Sequence, residues 1–196
     1  CVSVDKSNDF FVTGSIDRMV KFWRLAECEL ISTLTGHTGS IYDVALSQQN
    51  MPYLYSCSDA KEVFNWDLTT NSIIRIFFGH NAGIRCIAES PSSPLIVSGS
   101  RDSSAKVWDI RSQNSIFTLT GHKGTVFDVL FQDFMPHIVT SSADATIRLW
   151  DLRINKCYGV LTNHKKSVRK LSAHPKLWSF VSASPDAILQ WNGKDG

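Results

Sequence analysis

The chain has 196 residues, enough for one domain with a substantial core. Hydrophobic residues make up 43% and charged residues 19%, which excludes a disordered chain, and a net charge of +2 sets no strong overall field toward nucleic acid. Five scattered cysteines (Cys1, Cys28, Cys57, Cys86 and Cys157) include no C-x-x-C pair and no His at zinc-ligand spacing, so reduced thiols are expected rather than disulfides. We expect no metal, no cofactor and no small-molecule substrate. There is no apolar run of about 18 residues and no charged-then-apolar leader, so no membrane partner is expected. The chain opens at Cys1 inside what reads as a strand, which predicts a portion of a longer protein.

Short β-rich stretches divided by Ser, Asp, Asn and Gly fill the chain, and no 3.6-period apolar stripe competes with them. The first unit, about 1–33, holds FVTGSIDRMVKFW with Thr13, Asp17 and Trp23. The second, about 34–76, opens on LTGHTGSIY, continues through the strand IYDVAL and PYLYSC, and reaches Asp59, Ala60 and Trp66. The third, about 77–118, opens on FFGHNAGIR and carries the strands LIVSGS, AKVWDI and SIFTLT, the last crossing into the next unit. The fourth, about 119–160, opens on LTGHKGTVF, and the fifth, about 161–196, on LTNHKKSVR.

Three marker series run in register through these units. His37, His80, His122 and His164 are separated by 43, 42 and 42 residues. Trp23, Trp66, Trp108, Trp150 and Trp191 follow at intervals of 43, 42, 42 and 41. Each His precedes an Asp by 22 positions, giving Asp59, Asp102, Asp144 and Asp186. A period of 40–45 residues with G-H and W-D punctuation resembles the WD-repeat family over the whole chain. The fold this implies is all-β: a single β-propeller domain of four-stranded antiparallel blades, about five of them present, expected to be part of a seven-bladed ring.

His80, Ser98, Asp102 and Trp108 recur as His122, Thr140, Asp144 and Trp150 one unit later. Ser, His and Asp together invite a hydrolase reading. An active site is needed once, however, and this set repeats. The resemblance implies a structural hydrogen-bond tetrad in each blade, and no catalytic residue is expected. Asp59 lies seven positions before its Trp and Asp186 five, against six elsewhere, and Ala60 stands at the usual Asp position. The second tetrad is therefore expected to be broken.

In a four-strand meander, the loops carrying G-H and the Asp turns emerge at one end. Partner binding is expected on that rim and on the basic segment beside it, at Arg101, Lys123, Lys165, Lys166, Arg169 and Lys170. Between Asp151 and Asp186 no acidic residue occurs, whereas Arg153, Lys156, Lys165, Lys166, Arg169, Lys170 and Lys176 do. Either a solvated basic face or docking of an acidic segment or phosphate backbone follows from this. Tyr158 and Trp178 are too few aromatics to support base-specific RNA reading.

LTNHKKSVR, then HP at 174–175 and SPDAILQW, is similar to the pleiotropic-regulator family of WD-repeat proteins in the spliceosomal NineTeen complex. FVTGSIDRMVKFW, PYLYSC and SGSRDSSAKVWDIR carry the likeness through the earlier units. Departures are Arg24 after Trp23, the displaced Asp59, and Lys170. The resemblance implies a nuclear, non-enzymatic scaffold of pre-mRNA splicing that docks extended segments of a Myb-domain scaffold and an SNW-domain protein. A second expectation rests on W-D-x-R, ending at Arg111 and Arg153, which resembles the motif by which WD-repeat substrate receptors engage a cullin-RING ligase adaptor. The plainer reading of those arginines is a cap on the turn between the third and fourth strands.

Overall fold

The computed structural model describes residues 1–47, 52–132, 137–174, 177 and 179–192, and every regular element among them is a β-strand. Pro175, Lys176 and Trp178, named above, lie outside the described residues. The first sheet holds β1 (Val2–Val4), β2 (Phe10–Gly14), β3 (Val20–Arg24) and β4 (Glu29–Leu34). The second holds β5 (Ile41–Leu46), β6 (Tyr53–Ser58), β7 (Glu62–Asp67) and β8 (Ser72–Phe78). β9 (Ile84–Glu89), β10 (Leu95–Ser100), β11 (Ser104–Asp109) and β12 (Ser115–Thr120) form the third. β13 (Val126–Phe131), β14 (His137–Ser142), β15 (Ile147–Asp151) and β16 (Lys156–Leu161) form the fourth, and β17 (Lys170–Ala173), β18 (Ser179–Ala183) and β19 (Ile188–Asn192) the fifth.

Strands pair antiparallel in chain order within every sheet, so each is a simple meander. The opening strands stand side by side: β5 packs against β1 and β9, and β13 against β9 and β17. They surround a central channel, and the sheets radiate from it as propeller blades. Burial follows that geometry. β10 (LIVSGS) and β14 (HIVTSS) are buried almost end to end, because both faces meet a neighbouring sheet. β16 (KCYGVL), outermost in its blade, alternates between exposed and half-buried positions.

The core lies between blades as much as within them. Val12, Val20, Phe22 and Leu34 of the first sheet share one apolar cluster with Ile41, Val44, Leu54 and Trp66 of the second. At about 25 cal/mol per Å² of apolar surface, these seams are the main source of cohesion. Close approach needs a missing side chain at Gly99, where a Cβ would come within 2.6 Å of Val126 Cγ1 in the next blade.

Bulges recur at fixed places. The first-strand ladders skip Tyr42, Arg85 and Phe127, pairing the residues on either side instead. The ladders between the third and fourth strands shift at Trp23, Trp66, Trp108 and Trp150. A bulge leaves its extra residue unpaired and re-aims the side chain.

Candidate interaction face and the hydrogen-bond chains beneath it

In the third blade, Trp108 Nε1 donates to Ser98 Oγ at 2.9 Å. Ser98 Oγ lies 2.8 Å from His80 Nε2, and His80 Nδ1 lies 2.8 Å from Asp102 Oδ2. Because a carboxylate only accepts, Nδ1 carries the proton and Ser98 donates to Nε2. The chain thus runs Trp to Ser to His to Asp, linking β11, β10, the entry loop and the β10–β11 turn. The fourth blade repeats it: Trp150 to Thr140 at 2.9 Å, Thr140 to His122 at 2.8 Å, and His122 to Asp144 at 3.0 Å. Ser98 and Thr140 are fully buried, with the indole and imidazole on either side, so no substrate can reach their oxygens.

The acids also tie the loop down. Asp102 accepts from the Asn81 amide at 2.9 Å and from Ser104 Oγ at 2.6 Å. Burial works to raise the Asp102 carboxyl, but the bonds from His80 and Ser104 outweigh it and hold it well below the usual range. At Asp144, burial is likewise outweighed by Thr146 and the Lys123 amide, leaving the carboxyl at about 2. Burial depresses the His122 imidazole despite Asp144.

The expected break in the second tetrad does not occur. Trp66 donates to Ser56 at 2.7 Å, Ser56 Oγ lies 2.6 Å from His37 Nε2, and His37 Nδ1 meets Glu62 Oε1 at 3.2 Å. Glu62 occupies the place of Ser104 and Thr146, two beyond Ala60, and its longer side chain reaches back to the imidazole. Asp59 turns away and pairs with Arg101 of the third blade at 3.2 Å. In the first blade Trp23 donates to Thr13 at 3.0 Å.

The fifth tetrad is looser. Trp191 and His164 both meet Ser182 Oγ at 2.7 Å, but His164 Nδ1 stands 3.6 Å from Asp186 Oδ1. Asp186 is bound instead by the Lys165 amide at 3.0 Å and by Ser184 Oγ. These two bonds, the Lys165 amide foremost, hold its carboxyl low. Gly79 and Gly121 before the earlier His residues have φ of 152° and 145°, whereas Asn163 is not among the positive-φ residues.

Arg101, Lys123, Lys165, Lys166 and Arg169 are all exposed, and the first four sit on or beside the His loops and Asp turns of one face. Lys170 is exposed as well, but it faces the channel instead of the loops. Its ammonium reaches into the channel and meets Asp128 Oδ1 at 2.9 Å, while Asp128 Oδ2 accepts from the Leu171 amide at 2.7 Å. Asp43 bridges blades the same way, accepting from the Ile87 amide at 3.0 Å. Both acids stand six residues after a His, a regularity that marks them in the sequence. Burial pushes the Asp43 carboxyl up to about 6 and raises Asp128 as well, against the pull of Lys170.

Arg111 and Arg153 fold back onto the Asp of their own W-D pair. Arg111 Nε and Nη2 donate to Asp109 at 3.0 and 2.7 Å, and Arg153 makes the same fork to Asp151 at 3.2 and 2.9 Å. Both guanidiniums thus cap the turn that follows β11 and β15.

Residues 1–24, 28–67, 71–109 and 113–151 match the family described as WD domain, G-beta repeat. The chain belongs to the WD-repeat family. Among curated WD-repeat relatives, the nuclear distribution protein PAC1 of Komagataella phaffii is 30% identical over 108 residues, 54% of this chain and 22% of that protein. The pre-mRNA-splicing factor PRP46 of Saccharomyces cerevisiae is 46% identical over 59 residues, 30% of this chain and 13% of its own length. PRP46 of Kluyveromyces lactis is also 46% identical, over 57 residues, 29% of this chain and 13% of its own length. The chain spans less than a quarter of these three relatives, and the splicing-factor likeness confirms the resemblance found in the repeat motifs.

Proposed function

We propose that the protein is a non-enzymatic interaction scaffold of pre-mRNA splicing, acting in the nucleus within the NineTeen complex. The observation that carries this is a difference in identity. Relatives named for other roles, such as the nuclear distribution protein PAC1 and the WDR12 homolog of ribosome biogenesis, align at 28–30% over 108–111 residues. That is the level the repeat scaffold sustains by itself. The PRP46 proteins of three yeasts rise to 42–46% over 57–59 residues. Fold alone does not select among functions, and the higher local identity to PRP46 is what favours the splicing reading.

A scaffold role agrees with the burial of Ser98 and Thr140, whose hydroxyls are bonded within the tetrads and out of a substrate's reach. Its binding side chains are Arg101, Lys123, Lys165, Lys166 and Arg169 on the loop face, and its partners are extended segments such as those of a Myb-domain scaffold and an SNW-domain protein. An RNA backbone is the competing occupant of the same basic surface. The cullin-RING adaptor reading is weakened by Arg111 and Arg153 each forking through Nε and Nη2 onto its own Asp, which supports their role as turn caps.

The test is mass spectrometry of proteins that co-purify with the native protein at low salt. Splicing factors should dominate, and Lys165→Glu with Lys166→Glu should reduce their recovery severalfold. A co-purifying set without splicing factors would sink the proposal.

A further inference from the structure

At the channel mouth the bulge position alternates in chemistry from blade to blade: Tyr42, Arg85, Phe127 and Arg169. In the second, third and fourth blades this is the residue the β-ladder leaves unpaired. In the fifth it directly precedes β17. Each arginine approaches the aromatic ring of the preceding blade, Arg85 closely and Arg169 at the outer limit of a cation–π contact. The Arg85 guanidinium carbon lies 3.9 Å above the Tyr42 ring, and that of Arg169 lies 5.9 Å from the Phe127 ring. Arg101 approaches the outer side of the cluster, 5.7 Å from the Tyr42 ring.

Among the described residues, neither of these two arginines pairs with a carboxylate. Arg24, Arg101, Arg111 and Arg153 all pair with acids, and Arg75 donates to the Ile110 and Ser112 carbonyls. Among the described residues, neither Arg85 nor Arg169 has a side-chain hydrogen bond or an ion pair, and Arg85 Nε is buried without a partner. A guanidinium packed over a ring, as Arg85 is on Tyr42 at 3.9 Å, has less rotamer freedom left to lose when its donor fork binds a carboxylate. The cavity below, about 310 Å³, is lined by Tyr42, Asp43, Arg85, Phe127, Asp128 and Lys170 among others.

We infer that the channel mouth is a docking site for an acidic, extended segment of a partner protein, whose carboxylates are gripped by Arg85 and Arg169. This rests on the reading of the protein as an interaction scaffold and names the chemistry of one partner. A peptide fits better than RNA for two reasons. One face of Tyr42 is already covered by the Arg85 guanidinium and Arg169 stands beside Phe127, which reduces the stacking platform a base would use. Asp43 and Asp128 line the wall beneath, and their repulsion grows with the charge brought near them, so a continuous polyanion entering the channel is disfavoured more than spaced carboxylates at the mouth.

Fluorescence anisotropy at low ionic strength tests this, using a labelled peptide of about twelve residues that alternates Asp and Ser, its Asn-Ser counterpart, and an oligouridylate of matching length. The acidic peptide should bind at least about tenfold more tightly than either control, and Arg85→Gln with Arg169→Gln should lose that about tenfold advantage while keeping its unfolding midpoint. If the double variant does not fold, Arg169→Gln alone, at an exposed position, should show the same loss in part. Equal binding of the acidic and neutral peptides, equal or tighter binding of the oligouridylate, or an acidic peptide indifferent to the arginines would each overturn the inference. Splicing proteins recovered undiminished with the double variant would also defeat it, leaving the scaffold reading intact. Arginine-dependent peptide binding by a protein that recovers no splicing factor would defeat only the splicing reading.

Discussion

Glu62 shows how a single methylene changes the wiring of a blade. Asp102 and Asp144 accept from the imidazole at the tip of their turns, with Ser104 and Thr146 as helpers two residues on. In the second blade the helper position itself carries the acid, and Asp59 is released to hold Arg101. Removing Glu62 would strand a buried imidazole N–H and the Thr38 amide. Glu62→Ala should therefore cost about 1–3 kcal/mol in urea unfolding, while Glu62→Gln, which keeps the accepting Oε1, should cost less. Asp59→Asn loses only a half-exposed ion pair and should cost less, about 1 kcal/mol at most. The opposite ranking would return the tetrad to Asp59.

At the scale of the strands, the register of the blades was readable because G-H and W-D mark both ends of a repeat whose length barely varies. The tetrads with Asp were readable for the same reason: 22 residues from His to Asp is a constant of the connecting strand and turn. Glu62 was hidden because spacing assumes one carboxylate at one position, while side-chain length can shift it by two. The channel mouth was hidden because a bulge is a property of pairing, and Tyr42, Arg85, Phe127 and Arg169 share no composition. The turns between the second and third strands concealed a further regularity. Arg18, Lys61, Ser103 and Ala145, each following the turn position of the acid, have φ between 65° and 69°, yet none is Gly. A left-handed conformation costs a residue with a Cβ about 1–2 kcal/mol, against about 0.5–1 kcal/mol for the extra freedom of Gly in the unfolded chain. Ala145→Gly should thus stabilise the fourth blade by about 0.5 kcal/mol, read as a higher denaturation midpoint at unchanged slope. A lower midpoint would mean that the turn carries no such strain.

Across the whole molecule, the channel sets a pH dependence opposite to that of the tetrads. Asp43 faces Asp128, Lys170, Cys57 and Arg85, and burial raises its carboxyl to about 6 in the folded protein. The folded state then binds a proton that the unfolded state, at about 4, does not. The ionised carboxylate is consequently a cost above pH 6, and the cost is relieved as the pH falls from 6 toward 4. His122 and His37 work the other way: depressed by burial, they favour the folded state above the ordinary imidazole range and lose that contribution as acid protonates the unfolded chain first. The two effects overlap in wild-type protein, so only a difference between proteins separates them. Asp43→Asn keeps an acceptor for the Ile87 amide and removes the titration. Its stability relative to wild type should be greatest near pH 7.5 and should decline steadily toward pH 5, measured by urea unfolding at a series of pH values. A difference that stays constant across that range would place the Asp43 carboxyl at its ordinary value and remove the channel from the account of acid stability.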